Sequence, residues 1–476
     1  MSATPISTAD AETALRALVG ECGVLNPDQT EPLLVDQRSL YRGRALAAVQ
    51  PVSVAEVAAV LRWAHGHGIG VVPQGGNTGY CGGATPDESG RQVLLLLRRL
   101  NRVRAVDPDN FSLTAEAGCT LAEVQQAAAA ADRLFPLKLG SEQSCQIGGN
   151  LATNAGGLNV VRYGMTRDLT LGVEAVLADG RIYDGLNTLR KDNTGYDLKS
   201  LLVGSEGTLA VITAAALKLW PATPASATAL VGLRDVPSAV ELLAVLQSAA
   251  SGRLTSFELM PRAAIELAGR HIDARDPLAA AHAWYLLCEL RSSATEDLDG
   301  ILTEALASDA AQPLIAEAVL ATSERQREEF WRLREGIPAA QRRAGASLKH
   351  DVSVPLTAVA AFIDAVSQWV AREIPDGVLI CYGHAGDGNL HCNVSSRPGI
   401  DQQAFLRHEQ PLRRFVHDTV AALHGSISAE HGIGRLKIDE LRRYAPPAEL
   451  AAMHRIKQAL DPSGIMNPGK VLLPGA

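Results

Sequence analysis

A chain of 476 residues with a net charge of −8 and 47% hydrophobic side chains is too long for one ordinary core, so about two to four domains are expected. The negative balance argues against nucleic acid as a partner, because phosphate binding needs a basic face, and an anionic substrate would need locally placed Arg or Lys. The seven cysteines are odd in number and include no C-x-x-C pair, which argues against a disulfide framework or a thiolate zinc site. Reduced thiols, no presequence pattern in Met1 to Glu12 and no apolar run near the roughly 20 residues of a membrane span make a soluble, cytoplasmic protein the expectation.

Thr8 to Val19 is rich in Ala and Leu with acidic residues in its first turn, the pattern of a helix. A β-α-β unit follows: Ala45 to Val49, a helix opened by the capping box Ser53-x-x-Glu56, and Gly70 to Val72 running into Pro73. Short strands are expected at Val93–Leu97, Arg102–Val106 and Ser112–Ala117, and a second capping box, Thr120-x-x-Glu123, opens a helix to Asp132. Asp179-Gly180 signals a hairpin turn between Val173–Leu177 and Arg181–Tyr183.

The Pro/Ala/Ser/Thr-rich stretch Trp220 to Thr228 follows the apolar strand Leu209–Leu219 and reads as a domain boundary. Beyond it, strand and helix patterns at Leu230–Leu233, Ala239–Ala249, Ser256–Leu259, Trp284–Leu290 and Asp297–Ala307 predict a smaller antiparallel sheet covered by helices. Thr357–Ile374 and Gln402–His424 read as two long amphipathic helices. Strands and helices do not alternate strictly, so the fold class is α+β rather than doubly wound. No G-x-G-x-x-G lies at a strand-to-helix junction, which disfavours a Rossmann NAD site.

Pro73 to Gly83 holds five glycines in eleven residues directly after a strand, and glycines let backbone N–H groups converge on an anion. Candidate cofactor contacts there are Pro73, Gly75, Gly76, Asn77, Thr78, Gly79 and Gly82. A second small-residue region supplies Gly140, Ser141, Cys145, Gly148, Gly149, Asn150, Thr153, Asn154, Gly156 and Gly157. A third places Glu206 and Gly207 at the mouth of an apolar strand, and such regions can enclose a dinucleotide.

Tyr382 to Asn393 reads Y-G-H-A-G-D-G-N-L-H-C-N and is answered by Glu430-His431; six of the 12 histidines lie between His384 and His431. Val378–Tyr382 and Leu390–Val394 read as strands, with His391 and Asn393 on one side. Two imidazoles and a carboxylate form a divalent-metal set with open positions, which suits Zn, Mn, Co or Fe better than Ca or Mg.

P-Q-G-G-N-T-G, C-Q-I-G-G-N-L-A-T-N-A-G-G, R-Y-G at Arg162 to Gly164, R-K-D-N-T-G-Y-D-L-K at Arg190 to Lys199 and G-S-E-G-T-L at Gly204 to Leu209 resemble the FAD domain of the vanillyl-alcohol-oxidase/PCMH superfamily. They are most similar to its D-2-hydroxyglutarate and D-lactate dehydrogenase branch, and the similarity continues in order through nearly the whole chain. The resemblance implies an FAD-binding domain over residues 1–221, a cap, substrate and metal domain over 222–430, and a helical segment, 431–476, that packs back on the first domain. It adds Tyr163, Ile212 and Asn467 to the FAD contacts. Some members tether the flavin through a histidine in the first loop; Pro73 to Gly83 has none, so the FAD is expected to be non-covalent.

G-H-x-G-D-G-N-x-H-x-N followed by S-x-E-H-G-I-G is similar to the metal-bearing pattern of that branch. By that resemblance His384, His391 and Glu430 ligate a divalent metal, zinc first, His384, His391 and Asn393 meet the substrate, and His431 is the general base. Trp331 to Pro338 and Lys349 to Val352 resemble its substrate segment and nominate Arg334 and Lys349 for an anionic substrate. Pro338 stands where the 2-hydroxyglutarate pattern has a hydroxyl residue, which removes one donor for a second carboxylate. The expected activity is oxidation of a D-2-hydroxy acid, D-2-hydroxyglutarate first and D-lactate second, with an electron-transfer flavoprotein or a quinone as acceptor. A non-catalytic flavoprotein subunit of an electron-transfer complex is the alternative from another class. A homodimer is compatible with the chain but not fixed by it.

Overall fold

A computed structural model describes residues 6–473. Among these, one compact unit takes in residues up to 156, then 164–221 and the chain from 431 onward, and a second takes in 157–163 and 222–430.

In the first unit, the helix Thr8–Val19 starts where Ser7 Oγ accepts the Asp10 N–H, and it buries Ala11, Leu15 and Val19, one apolar residue per turn. The parallel sheet that follows has Gln92–Leu96 between Ala47–Val49 and Gly70–Gln74. Its crossover helix, Val54–His67, is capped by Ser53, and Gly68 closes it at φ +63°. The expected reciprocal box is incomplete here: the Glu56 carboxylate accepts the N–H of Val52 instead of Ser53. At Thr120 the box is complete, and the helix runs Leu121–Ala130.

A five-stranded antiparallel sheet places Ala210–Lys218 at its centre, between Ser112–Glu116 and Thr170–Leu177, with Val103–Asp107 and Ile182–Gly185 at the edges. The Asp179-Gly180 turn joins Thr170–Leu177 to Ile182–Gly185, with Val176 opposite Ile182 and Gly180 at φ +78°. The chain end returns to this unit. Val71 donates to Ile465 O and accepts from Asn467 N, so residues 465–467 run along the free edge of Gly70–Gln74. Asp461 fixes that approach by accepting the N–H groups of Ile465 and Met466 and an ion pair from Lys457.

The second unit is built on an eight-stranded antiparallel sheet, larger than the five-stranded one of the first unit rather than the smaller sheet expected from the sequence. Its order is Ile315–Leu320, Ala225–Leu233, Trp284–Ser292, Leu254–Pro261, Gly377–His384 and Asn389–Ser396, with Ser347–Leu348 and Asp351–Ser353 both on the last. Both faces are buried. Leu259, Leu286 and Cys381 face the cluster containing the helices Val236–Ala250, Leu298–Ala307 and Val359–Glu373. Met260, Leu287 and Tyr382, one residue on, face Arg262–Ile272 and Ile337–Ala344. The single helix expected over Gln402–His424 is two, Gln402–Leu406 and Glu409–Ala422. Pro411 has no N–H to donate, so it fits only within the first turn of a new helix.

Phe362 is fully buried in the second unit and Leu406 is 45% exposed. Phe362→Ala is expected to cost about 3–5 kcal/mol. Leu406→Ala should stay within about 0.5 kcal/mol, both read from the denaturation midpoint of that unit.

Candidate active site

The hairpin Gly377–His384 / Asn389–Ser396 sets Tyr382 opposite His391 and leaves His384 at the end of its strand. Its turn depends on Gly388, at φ +81°, where a Cβ would stand 2.2 Å from Val354 O. His384, His391 and Glu430 each bring one donor atom to within 4.8 Å of the others. His384 Nδ1 faces Glu258 Oε1 at 2.7 Å, so its Nε2 is the donor toward the cluster, 3.6 Å from Glu430 Oε1. Asp351 serves the other two: Oδ1 lies 3.8 Å from His391 Nδ1, and Oδ2 accepts the Glu430 N–H at 2.9 Å.

The electrostatics are those of a buried acidic cluster. Burial opposes ionisation of Glu258, but His384 and Arg334 outweigh it and hold the carboxyl down at about 2. Burial likewise opposes the charged form of His384, yet Glu258 and Glu430 raise it to about 9. Burial pushes Glu430 up, with His384 opposing and Asp351 and Asp387 adding to the push. Asp387 is raised to about 6, again chiefly by burial. Four carboxylates around two imidazoles and one guanidinium make a donor set that suits a divalent cation.

Arg334 is buried, donates from Nε and Nη2 to Glu258 at 2.7 Å, and lies 4.9 Å from the Tyr382 ring centroid. It therefore joins the cluster through Glu258. Asn393 is also buried; its Oδ1 accepts the His350 N–H at 3.2 Å and its Nδ2 donates to Gln341 at 3.0 Å. Lys349 is exposed, between the short strands Ser347–Leu348 and Asp351–Ser353. Glu258 and Asp351 went unassigned in the sequence. A lone acid in the apolar strand Leu254–Pro261 was the available signal for Glu258.

In the first unit, the loop after Gly70–Gln74, the stretch around Cys145–Thr153 and the turn at Glu206–Ile212 line one cavity. Of the expected cofactor contacts, it collects Pro73, Gly75, Gly76, Asn77, Thr78, Gly79, Gly82, Cys145, Gly148, Gly149, Asn150, Thr153, Glu206, Gly207 and Ile212, together with His431. A Cβ on Gly76 would stand 2.0 Å from Ser144 O, so a glycine is required where these walls meet. Gly140, Ser141, Asn154 and Gly156 do not line it: Ser141 O, for example, closes a turn by accepting the N–H groups of Ser144 and Cys145. Gly157 and Tyr163 belong to the second unit. Asn467 is a tie behind the wall, donating to Gly83 O and Glu206 O.

The cavity has polar atoms with nothing in the protein to pair with. Gln74 Nε2 donates to Leu33 O and Ala84 O, which leaves its Oε1 buried without a partner. Gln146 Oε1 and Thr85 Oγ1 are in the same condition, and all three side chains line the cavity. Buried polar atoms are ordinarily hydrogen-bonded, so this cradle fits a polar ligand such as a dinucleotide. Gln74, Thr85 and Gln146 were not singled out in the sequence, where the glycines around them carried the signal.

Residues 223–471 match the family described as FAD linked oxidases, C-terminal domain, and residues 45–185 match the FAD binding domain. The chain belongs to the FAD-linked oxidases. It is 37% identical over 471 residues to the probable D-2-hydroxyglutarate dehydrogenase, mitochondrial, of Oryza sativa subsp. indica, covering 98% of this chain and 82% of that protein. It is 38% identical to D-2-hydroxyglutarate dehydrogenase, mitochondrial, of Bos taurus, covering 96% and 82%. The crystal structure of p-cresol methylhydroxylase with substrate bound superposes with a TM-score of 0.76 at 18% identity, covering 98% of this chain and 97% of that one, which shows the shared fold.

This FAD-linked oxidase is therefore an oxidoreductase with FAD as its cofactor. The cytoplasmic expectation is corrected: the rice and cattle relatives are named as mitochondrial proteins. All seven cysteines are free, and free thiols do not single out the cytoplasm. Among the described residues, no helix is long and apolar enough to cross a membrane.

Gly76→Ala forces one overpacked contact of about 1–3 kcal/mol onto the cradle wall and is expected to weaken FAD retention by about tenfold or more. The flavin-to-protein absorbance ratio after gel filtration reads this directly.

Proposed function

We propose that this FAD-linked oxidase is a divalent-metal-dependent dehydrogenase that oxidises a D-2-hydroxy acid to the 2-oxo acid, with D-2-hydroxyglutarate as the preferred substrate. The observation that carries the metal reading is the trio His384, His391 and Glu430, whose donors approach within 4.8 Å. The relatives named D-2-hydroxyglutarate dehydrogenase support the substrate class. In this reading residues 1–221 hold a non-covalent FAD, 222–430 hold the cation and the substrate, and 431–476 return the base to the flavin unit.

When bound, FAD supplies a hydride acceptor and the cation, zinc first, supplies a Lewis acid that favours ionisation of the substrate hydroxyl. His384, His391 and Glu430 would hold the cation, with Glu258 and Asp351 placed behind them to orient the ligands. A ring nitrogen of His431 takes the hydroxyl proton, a role suited to an imidazole, whose ordinary pKa lies near ~6.5. Glu430 and His431 are consecutive, so one peptide bond joins the last ligand to the base. Asn393, Lys349 and the guanidinium edge of Arg334 that Glu258 does not occupy are assigned to the substrate's oxygens. An electron-transfer flavoprotein or a quinone would serve as the electron acceptor.

Pro338 favours a second reading of the substrate. It lies in the first turn of the helix Ile337–Ala344 and offers no donor to a distal carboxylate, which suits D-lactate as well as a diacid. The reading of a non-catalytic subunit has no use for an open metal site backed by two buried carboxylates.

His431→Ala is expected to slow flavin reduction by about 10²–10⁴-fold with FAD content unchanged; a near-normal rate would end the base assignment. Glu258→Gln removes the anion behind His384 and should weaken divalent-metal affinity about 10–100-fold, measured by equilibrium dialysis with metal analysis. Chelation should abolish turnover, and Zn or Mn should restore it. Acid precipitation should leave the flavin in the supernatant, as a non-covalent cofactor requires.

A further inference from the structure

We infer that Glu206 is a positioning residue for His431: its carboxylate clamps the turn that carries the base, and it acts on the reaction through that turn rather than as a ligand of the flavin. The inference rests on the reading of His431 as the base. Glu206 Oε1 accepts the Ile433 N–H at 2.7 Å, and Oε2 accepts the Gly434 N–H at 2.8 Å. Each oxygen thus holds one of two successive N–H groups, the arrangement by which a backbone nest grips an anion.

The turn is shaped for this contact. Gly432 lies at φ +71°, and a Cβ there would stand 2.7 Å from Glu206 Oε1. Gly434 lies at φ +51°, and a Cβ there would meet Cys81 O at 2.2 Å. Both positions therefore need glycine for conformation and for space. From the other side, Cys81 O accepts the N–H groups of Arg435 and Leu436 at 2.8 and 3.2 Å, and the Cys81 thiol reaches Gly432 O at 3.4 Å. Residues 432–436 are thereby held between a carboxylate and a carbonyl.

Glu206 is itself fixed in direction. Its N–H donates to Ala152 O at 2.8 Å, its carbonyl accepts from Asn467 at 2.7 Å, and its φ is +52°, a region that non-glycine residues seldom occupy. His431 enters the turn one residue before Gly432, lines the flavin cavity, and packs edge-on against Tyr80 with 4.8 Å between ring centroids. Glutamine at 206 would keep one acceptor and turn an amide N–H₂ toward the second backbone N–H. Aspartate would keep both acceptors on a shorter arm.

The test uses holoenzyme and rapid-mixing flavin reduction by D-2-hydroxyglutarate in Glu206→Gln, Glu206→Asp, His431→Ala and the double variant Glu206→Gln/His431→Ala. Misplacement of the base predicts a limiting reduction rate about 10–100-fold lower in Glu206→Gln, with FAD retention and the substrate dissociation constant within about twofold of the parent. Glu206→Asp should recover part of the rate. In the His431→Ala background, Glu206→Gln should add no further loss, because both changes remove one function.

A normal rate in Glu206→Gln, preferential loss of flavin, or the same fold-loss with and without His431 would overturn the inference. So would failure of both Glu206→Gln and Glu206→Asp to yield folded holoenzyme, which would assign the carboxylate to stability. A near-normal rate in His431→Ala alone is a separate result: it overturns the base reading, and the clamp with it.

Discussion

Two cross-strand pairs, Glu258 opposite His384 and Leu259 opposite Gly383, are the whole of the pairing between Leu254–Pro261 and Gly377–His384. Through them the four-stranded half of the large sheet meets the hairpin that bears the histidines. The same contact supplies the chemistry. It sets a carboxylate behind His384 Nδ1, and Arg334 neutralises that carboxylate from the opposite oxygen. A buried ion pair of this kind adds little net stability, because desolvation offsets most of the attraction, but breaking it leaves a charge without a partner. Its service here is orientation: one ring nitrogen is occupied and the other is turned toward Glu430.

The two units meet their electrostatic demands in opposite ways. The cradle in the first unit has glycine walls and buried oxygen atoms at Gln74, Thr85 and Gln146 that a polar cofactor can satisfy. The second unit gathers Glu258, Asp351, Asp387 and Glu430 around two imidazoles, an excess of negative charge that a cation relieves. The chemistry of each site matches the ligand proposed for it. In the proposed reading proton handling falls to His431, which enters the turn held by Glu206 and Cys81.

Local signals were legible where one short segment contained the whole cause. The Thr120 box, the Asp179-Gly180 hairpin and the helix Thr8–Val19 each follow from residues within a few positions of one another. The approach of His384, His391 and Glu430 was readable from two histidines around a glycine turn and from the resemblance of the S-x-E-H-G-I-G segment. Glu258 was not, since 126 positions separate it from His384 and only strand pairing unites them. The large sheet was underestimated because Ile315–Leu320 was not read as a strand and Ser347–Leu348 and Asp351–Ser353 are too short to show a period. Pro411 was a local signal, overridden by the amphipathic pattern on either side of it.

The proposed function places oxidation of a D-2-hydroxy acid at the cluster of His384, His391 and Glu430, with FAD as acceptor. The most direct measurement is anaerobic mixing of the purified protein with D- and L-2-hydroxyglutarate and D-lactate, following the flavin's visible absorbance while metal content is determined on the same sample. The account predicts bleaching by a D-2-hydroxy acid and not by its L enantiomer, in proportion to metal occupancy. Equal bleaching in metal-free protein, or none with any 2-hydroxy acid, would contradict it.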